Sequence, residues 1–222
     1  MKKSIRRILI TAGPTREMLD PVRFIANLST GEMGYAIARE FKRNGFDVTL
    51  ISGPTSLEPP KGVRFIPIIT VEELKRAMEK QFLKNDALIM TAAVGDFIPV
   101  SQSFKKVPRK KTWKVVFRQS PDLVRQVAGR KGDRIVVGFS LETDHWIKRS
   151  EAKRRSKNLD GIVANYYSHR HNPFGQTKVH VALIDAQKTR ILQLRSKRAL
   201  ARHLMNWIIA LSRTRKYNRE PF

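Results

Sequence analysis

Three features of this sequence predict an α/β fold: a Rossmann-like, mostly parallel sheet with helices on both faces and an antiparallel hairpin at one edge. Short apolar runs alternate with amphipathic stretches of about a dozen residues, an alternation that calls for right-handed βαβ crossovers and a sheet covered on both sides. Turn-forming residues follow most of the apolar runs, as in Ala12-Gly13-Pro14-Thr15 and Ser52-Gly53-Pro54. Finally, 222 residues with 41% hydrophobic content can bury one sizeable core.

Taken in order, Ile8–Thr11 is a short strand. Glu32–Asn44 has helical spacing through Met33, Ile37 and Phe41 and stops at Gly45, while Ser29-Thr-Gly-Glu has the form of a capping box. Val48–Ile51 is a buried strand. Thr70–Lys84 repeats the helical pattern, with a second capping box from Thr70 to Glu73. Leu88–Thr91 is the next strand. Ser120-Pro121-Asp122 reads as an N-cap, a proline at the first helical position and a carboxylate near the dipole. Strand Ile135–Phe139, a basic helix over Trp146–Asn158 and strand Gly161–Ala164 follow. Val179–Ile184 and Arg190–Leu194 bracket Asp185-Ala-Gln-Lys as a hairpin, and Ser196–Ser212 is a closing helix. Residues 1–213 form a single domain in this reading, with a basic, frayed tail from 214 to 222.

Composition narrows the chemistry. There is no cysteine, hence no disulfide and no catalytic thiol. No apolar run is long enough to span a bilayer and the basic start lacks a cleavage site, which predicts a soluble, cytoplasmic protein without a membrane partner. Lys and Arg number 44 against 19 Asp and Glu, a net charge of +25. Such a field concentrates anions, whether nucleic acid or phosphorylated metabolites, without choosing between them. The histidines at 145, 169, 171, 180 and 203 are scattered and read as no metal site. Trp113, Trp146 and Trp207 read as packing residues.

In open parallel sheets ligands sit beyond the carboxyl ends of the strands, so the residues after Thr11, Ser52, Thr91, Phe139 and Asn165 carry the most information. The first such connection is long, roughly twenty residues to Glu32. It carries Arg16, Arg23 and Asn27, then Ser-Thr-Gly-Glu-Met-Gly. Backbone N–H groups at Gly31–Gly34 and the helix dipole make an anion site, and Arg23 can fork onto a phosphate or carboxylate. Glycine at 34 serves close helix–strand packing equally well. A nicotinamide-dependent reductase fits poorly. The second strand ends in Ser52-Gly53 with no ribose-binding acid, and Tyr166 is followed four residues on by Arg170 rather than by lysine. A basic nucleic-acid-binding module has only the charge in its favour.

Taken together, Ile8-Leu-Ile-Thr-Ala-Gly-Pro-Thr-Arg-Glu, Asp20-Pro-Val-Arg-Phe-Ile-Ala-Asn and Ser29-Thr-Gly-Glu-Met-Gly resemble phosphopantothenate–cysteine ligase (phosphopantothenoylcysteine synthetase). The likeness continues in the same order through Ser52-Gly-Pro-Thr, Thr91-Ala-Ala-Val-Gly-Asp-Phe, Ser120-Pro-Asp-Leu, Val137-Gly-Phe-Ser-Leu-Glu-Thr, Lys157-Asn-Leu-Asp and Ala164-Asn. The resemblance implies a stand-alone form of a domain that many bacteria fuse behind a flavin-dependent decarboxylase. It also implies a two-step reaction in coenzyme A biosynthesis. The carboxylate of 4′-phosphopantothenate attacks the α-phosphate of CTP (or ATP), releasing pyrophosphate, and the cysteine amine then displaces the nucleotide. Fixed donors and cations suffice for such chemistry.

By the same resemblance Asn27, Arg23 and Lys106 are catalytic, and Gly31, Gly34, Ala92 and Ala93 meet the substrate. Asp96, Lys106, Pro121, Asp122, Leu123, Val124, Phe139, Lys153 and Lys157 bind the nucleotide. Lys153 and Lys157 stand four apart, on one helix face. The resemblance also implies a dimerisation arm near 97–118, whose basic segment reads Lys105-Lys-Val-Pro-Arg-Lys-Lys111 and leaves Lys105, Lys106 and Lys110 as candidates, with spacing favouring Lys106. The loop around Phe174-Gly175 departs from the family pattern. Mg2+ is expected on the triphosphate rather than in a protein cage. A homodimer sharing the arm and a separate decarboxylase partner complete the expectation.

Overall fold

The computed structural model describes residues 5–109, 111–168 and 178–217. Its elements are β1 (Arg7–Ala12), β2 (Arg16–Asp20), β3 (Arg23–Ala26), α1 (Glu32–Arg43), β4 (Asp47–Ser52), β5 (Arg64–Pro67), α2 (Val71–Phe82) and β6 (Ala87–Met90). They continue with β7 (Phe97–Pro99), β8 (Phe117–Gln119), α3 (Leu123–Gly129), β9 (Ile135–Glu142), α4 (Trp146–Ser156), β10 (Gly161–Tyr166), β11 (Val179–Asp185), β12 (Thr189–Leu194) and α5 (Lys197–Tyr217). The loop around Phe174-Gly175, His169, His171, Lys110 and residues 218–222 of the expected tail lie outside the described residues.

An eight-stranded sheet in the order β12-β11-β10-β9-β6-β1-β4-β5 forms the body. Every neighbouring pair from β10 to β5 is parallel, and β11 and β12 add the antiparallel edge. Alternation along β1 divides the core. Ile8, Ile10 and Ala12 face α1 and α5, whereas Leu9 faces the side covered by α2 and α3. Phe41 on α1 and Leu74 on α2 are fully buried, and each such side chain contributes about 1.5–3 kcal/mol relative to exposure.

Three local expectations need correction. Ser29 does not cap α1. The N-cap is Gly31 in the left-handed region, with no side-chain cap bond, and the Ser29 hydroxyl instead accepts from Gly31 N at 3.3 Å. The start of α3 is capped by Asp122, whose carboxylate accepts from Arg125 N at 3.1 Å, so Pro121 lies before the helix rather than in its first turn. The closing helix runs to Tyr217, past the boundary expected at 213. The α2 cap is as expected, with Thr70 accepting from Glu73 N at 3.2 Å.

The long first connection holds an element unseen in the sequence, the antiparallel hairpin of β2 and β3. A second ribbon of β7 and β8 closes the base of the arm, tied by Ser120 N donating to Asp96 O and Val100 N to Val116 O, both at 2.9 Å.

Candidate active site

Strand order locates the site. From β1 the chain moves outward to β4 and β5, then returns to the other side of β1 as β6. The connections leaving β1 and β6 lead to opposite faces, and a crevice opens between neighbouring strands of that kind, at their carboxyl ends.

The walls of the crevice are tightly knit. The loop after β1 binds the loop after β6 through Ala93 N to Gly13 O at 2.9 Å, Thr15 N to Ala93 O at 3.2 Å and Ala92 N to the Thr11 hydroxyl at 3.2 Å. Gly53 lets the loop after β4 join them. A Cβ there would stand 1.7 Å from the Pro14 carbonyl oxygen. Both alanine N–H groups are therefore held by the protein itself, and Ala92 and Ala93 present a small, close surface to the crevice rather than free donors.

A cavity of about 210 Å³ occupies this position, lined among others by Gly31, Gly34, Ala92, Ala93 and Phe139. The N-terminus of α1 points into it. The first N–H groups of a helix have no internal acceptor, and no side chain caps them here, so that end favours an anion. The opposite wall brings Ser140, Asn165, Tyr166, Lys178 and His180, while Lys197 enters from the start of α5. Lys197 is ion-paired with Glu32 on the first turn of α1. Asn165 donates its amide to Ser140 O at 3.3 Å, which orients it. Trp146 backs this wall, 5.4 Å from the His180 ring and 6.3 Å from the Tyr166 ring between centroids.

Of the residues singled out in the sequence, five line the cavity. Asn27 stands beside it, donating its amide to Val94 O at 3.0 Å. The nucleotide set is more dispersed. Asp96 is exposed at the foot of the arm and Lys106 is exposed on it. Leu123 is buried and Val124 packs against the core, so only backbone could serve a ligand there. The Asp122 carboxylate occupies the N–H end of α3 and is itself paired with Lys157 at 3.0 Å. Lys153 donates to the buried Glu142 at 2.6 Å, with Arg149 at 3.3 Å on the other oxygen, because a buried carboxylate requires a partner. Arg23 reaches toward the arm. Its guanidinium contacts Asp20 at 2.6 Å and Val107 O at 2.6 Å and stacks 4.6 Å from the Trp113 ring. Trp113 accordingly packs at the surface against Arg23, whereas Trp207 packs in the core.

Lys178, His180 and Lys197 escaped the sequence reading. Hairpin parity could have found them. β10 ends at the ligand edge, so antiparallel β11 begins there and β12 ends there, delivering residue 178 and the start of α5 to the same rim.

Fold and cavity define an α/β domain with a cavity at a topological switch point of its sheet. The chain matches the family described as DNA/pantothenate metabolism flavoprotein C-terminal domain over residues 4–211 and belongs to it. It is 36% identical over 211 residues to the coenzyme A biosynthesis bifunctional protein CoaBC of Bacillus subtilis (strain 168), which covers 94% of this chain and 52% of that protein. The chain thus spans about half the length of such curated relatives. Among solved structures it is similar to the C-terminal domain of a CoaBC protein (TM-score 0.80, 32% identity, 93% of this chain and 95% of that one). It shares its fold with a Cab2 variant in complex with phosphopantothenate-cysteine (TM-score 0.79, 19% identity, 96% and 88% covered).

Proposed function

We propose that this chain is a phosphopantothenate–cysteine ligase, working in the cytoplasm in coenzyme A biosynthesis, as a homodimer and with CTP in preference to ATP. The observation that carries the reading is the cavity, with an uncapped helix N-terminus on one wall and Lys178 and Lys197 on the others; Asn27 is held on Val94, the residue after the cavity-lining Ala93. Membership of the family and the 36% identity to a bifunctional protein of coenzyme A biosynthesis support it.

In the proposed reaction a carboxylate oxygen of 4′-phosphopantothenate bonds to the α-phosphorus as the bond to pyrophosphate breaks. The cysteine amine then bonds to the acyl carbon, the nucleoside monophosphate leaves with the former carboxylate oxygen, and the amine releases a proton. Neither step needs a side-chain nucleophile. The chain's share is to neutralise phosphate charge and hold the reacting groups in line. Asn27 keeps one amide hydrogen on Val94 O and has the second free for the acyl oxygen. Exposed Lys106 would reach the triphosphate from the arm. Magnesium would arrive on the nucleotide, bound by phosphate oxygens and water; among the described residues no three His, Asp or Glu converge on a metal cage. A separate flavin-dependent decarboxylase is the proposed consumer of the product.

The test is pyrophosphate release by purified protein with phosphopantothenate, cysteine and each common triphosphate. CTP should be fastest, and Asn27→Ala should lower the rate at least about a hundredfold, as loss of an oxyanion donor does, with an unchanged melting transition. Silence with all four triphosphates would remove the reading.

A further inference from the structure

Asp20 closes β2 with no exposed surface. Its carboxylate accepts the N–H of Val22 and of Arg23, both at 2.9 Å, and Arg23 Nε at 3.0 Å. The remaining partner comes from the arm, 87 residues away, where Val107 N donates to Asp20 Oδ2 at 3.1 Å. Arg23 completes the grip by donating Nη2 to the Val107 carbonyl at 2.6 Å, so both backbone polar groups of one residue are held by a single acid–base pair. Trp113 lies against the same guanidinium, and Ser103 N donates to Leu19 O at 3.0 Å.

This is heavy anchoring for a segment that forms no strand or helix among its described residues between β7 and β8. Surface loops do not need a buried carboxylate, which is costly without charged partners. What the anchor fixes is the backbone beside Lys106, an exposed cation of the arm.

We propose that Asp20 and Arg23 are positioning residues that latch the arm at Val107 and so set where Lys106 stands over the triphosphate. The assignment rests on the ligase reading above. It gives Arg23 work through the arm rather than on a phosphate, and it gives Asp20, which no motif marked as functional, a part in the reaction.

Two readouts test it. Hydrogen exchange of the 103–109 peptide should quicken about tenfold or more in Asp20→Asn and in Arg23→Lys, because a charge-assisted bond to the Val107 amide is lost or weakened. In pyrophosphate release each variant should lower kcat about tenfold, yet add almost nothing to Lys106→Ala, since residues acting through one another are not additive. Should Asp20→Asn lose its cooperative melting transition, Arg23→Lys reads both quantities alone. Unchanged exchange, or full additivity with Lys106→Ala in an active protein, would overturn the latch. A wild type that releases no pyrophosphate would instead remove the ligase reading, and the latch's catalytic purpose with it.

Discussion

A methyl group on residue 34 would stand 2.5 Å from Ala12 Cβ and 2.6 Å from Thr91 Oγ1. Helix α1 can approach β1 and β6 this closely only because Gly34 has no side chain. Alanine is the better helix former by about 1 kcal/mol, but overpacking against atoms fixed to the sheet costs about 1–3 kcal/mol. Gly34→Ala should therefore lower stability by a net 1 kcal/mol or so and Tm by about 2–4 °C, measured by thermal circular dichroism; an unchanged Tm would mean the helix shifts freely. Legibility at this scale was uneven. Gly34 had two readings in the sequence, and packing is the one the geometry explains. Ser29-Thr-Gly-Glu matched a capping box letter for letter, yet the chain enters α1 through Gly31 at φ 79°, which moves Ser29 out of the cap position. A spacing rule describes a local preference and does not see the turn that precedes it.

Most strands and helices of the main sheet were legible because each buries a face, and burial writes its period into the sequence; the edge strand β5, exposed at both ends and half-buried between, was missed. The two hairpins were not legible. β2–β3 and β7–β8 leave Phe24, Ile25, Phe97 and Phe117 exposed, and Phe104 on the arm is 90% exposed. Apart from Ile98, which packs on the α2 and α3 side of the core, their large apolar residues are exposed or half-buried, and no apolar period betrays them. Exposed apolar surface gathered on two adjacent ribbons is what an intermolecular interface needs, and a second copy is the proposed occupant. Light scattering should give about twice the 25.6 kDa of one chain, and Phe104→Asp should shift the protein to monomer with its fold intact. A wild type that stays monomeric at micromolar concentration would count against the shared arm.

The whole molecule carries +25 charges, and its few carboxylates do much of the electrostatic holding. Burial pushes Asp20 upward, but bonds from Val22, Val107 and Arg23 outweigh it and bring its carboxyl to about 2 from the usual 3.8. Glu151 is held at about 2 from 4.5, chiefly by the Arg154 hydrogen bond and, against some burial, by Arg155. A carboxyl lowered by folding contributes stability that is complete above its unfolded value and is lost as pH falls through the folded one. Glu17 runs the other way, raised by burial despite the bond from Val71 N, and offsets part of the loss. The Tm should thus fall steeply from pH about 4.5 toward 2, where protonation also leaves the positive charges less opposed. A transition that holds its midpoint down to pH 3 would show these bonds to be unimportant.

The same chain order that builds the crevice also schedules its completion. On α5, Leu200, Leu204 and Ile208 bury the face of α1 that carries Ile37 and Phe41, over 160 positions earlier in the sequence. During synthesis α1 therefore emerges with that oily face bare until α5 follows it. Lys197, which closes the cavity against Glu32, arrives on the same late segment. The wall of the cavity and the cover of α1 are thus supplied by one and the same segment.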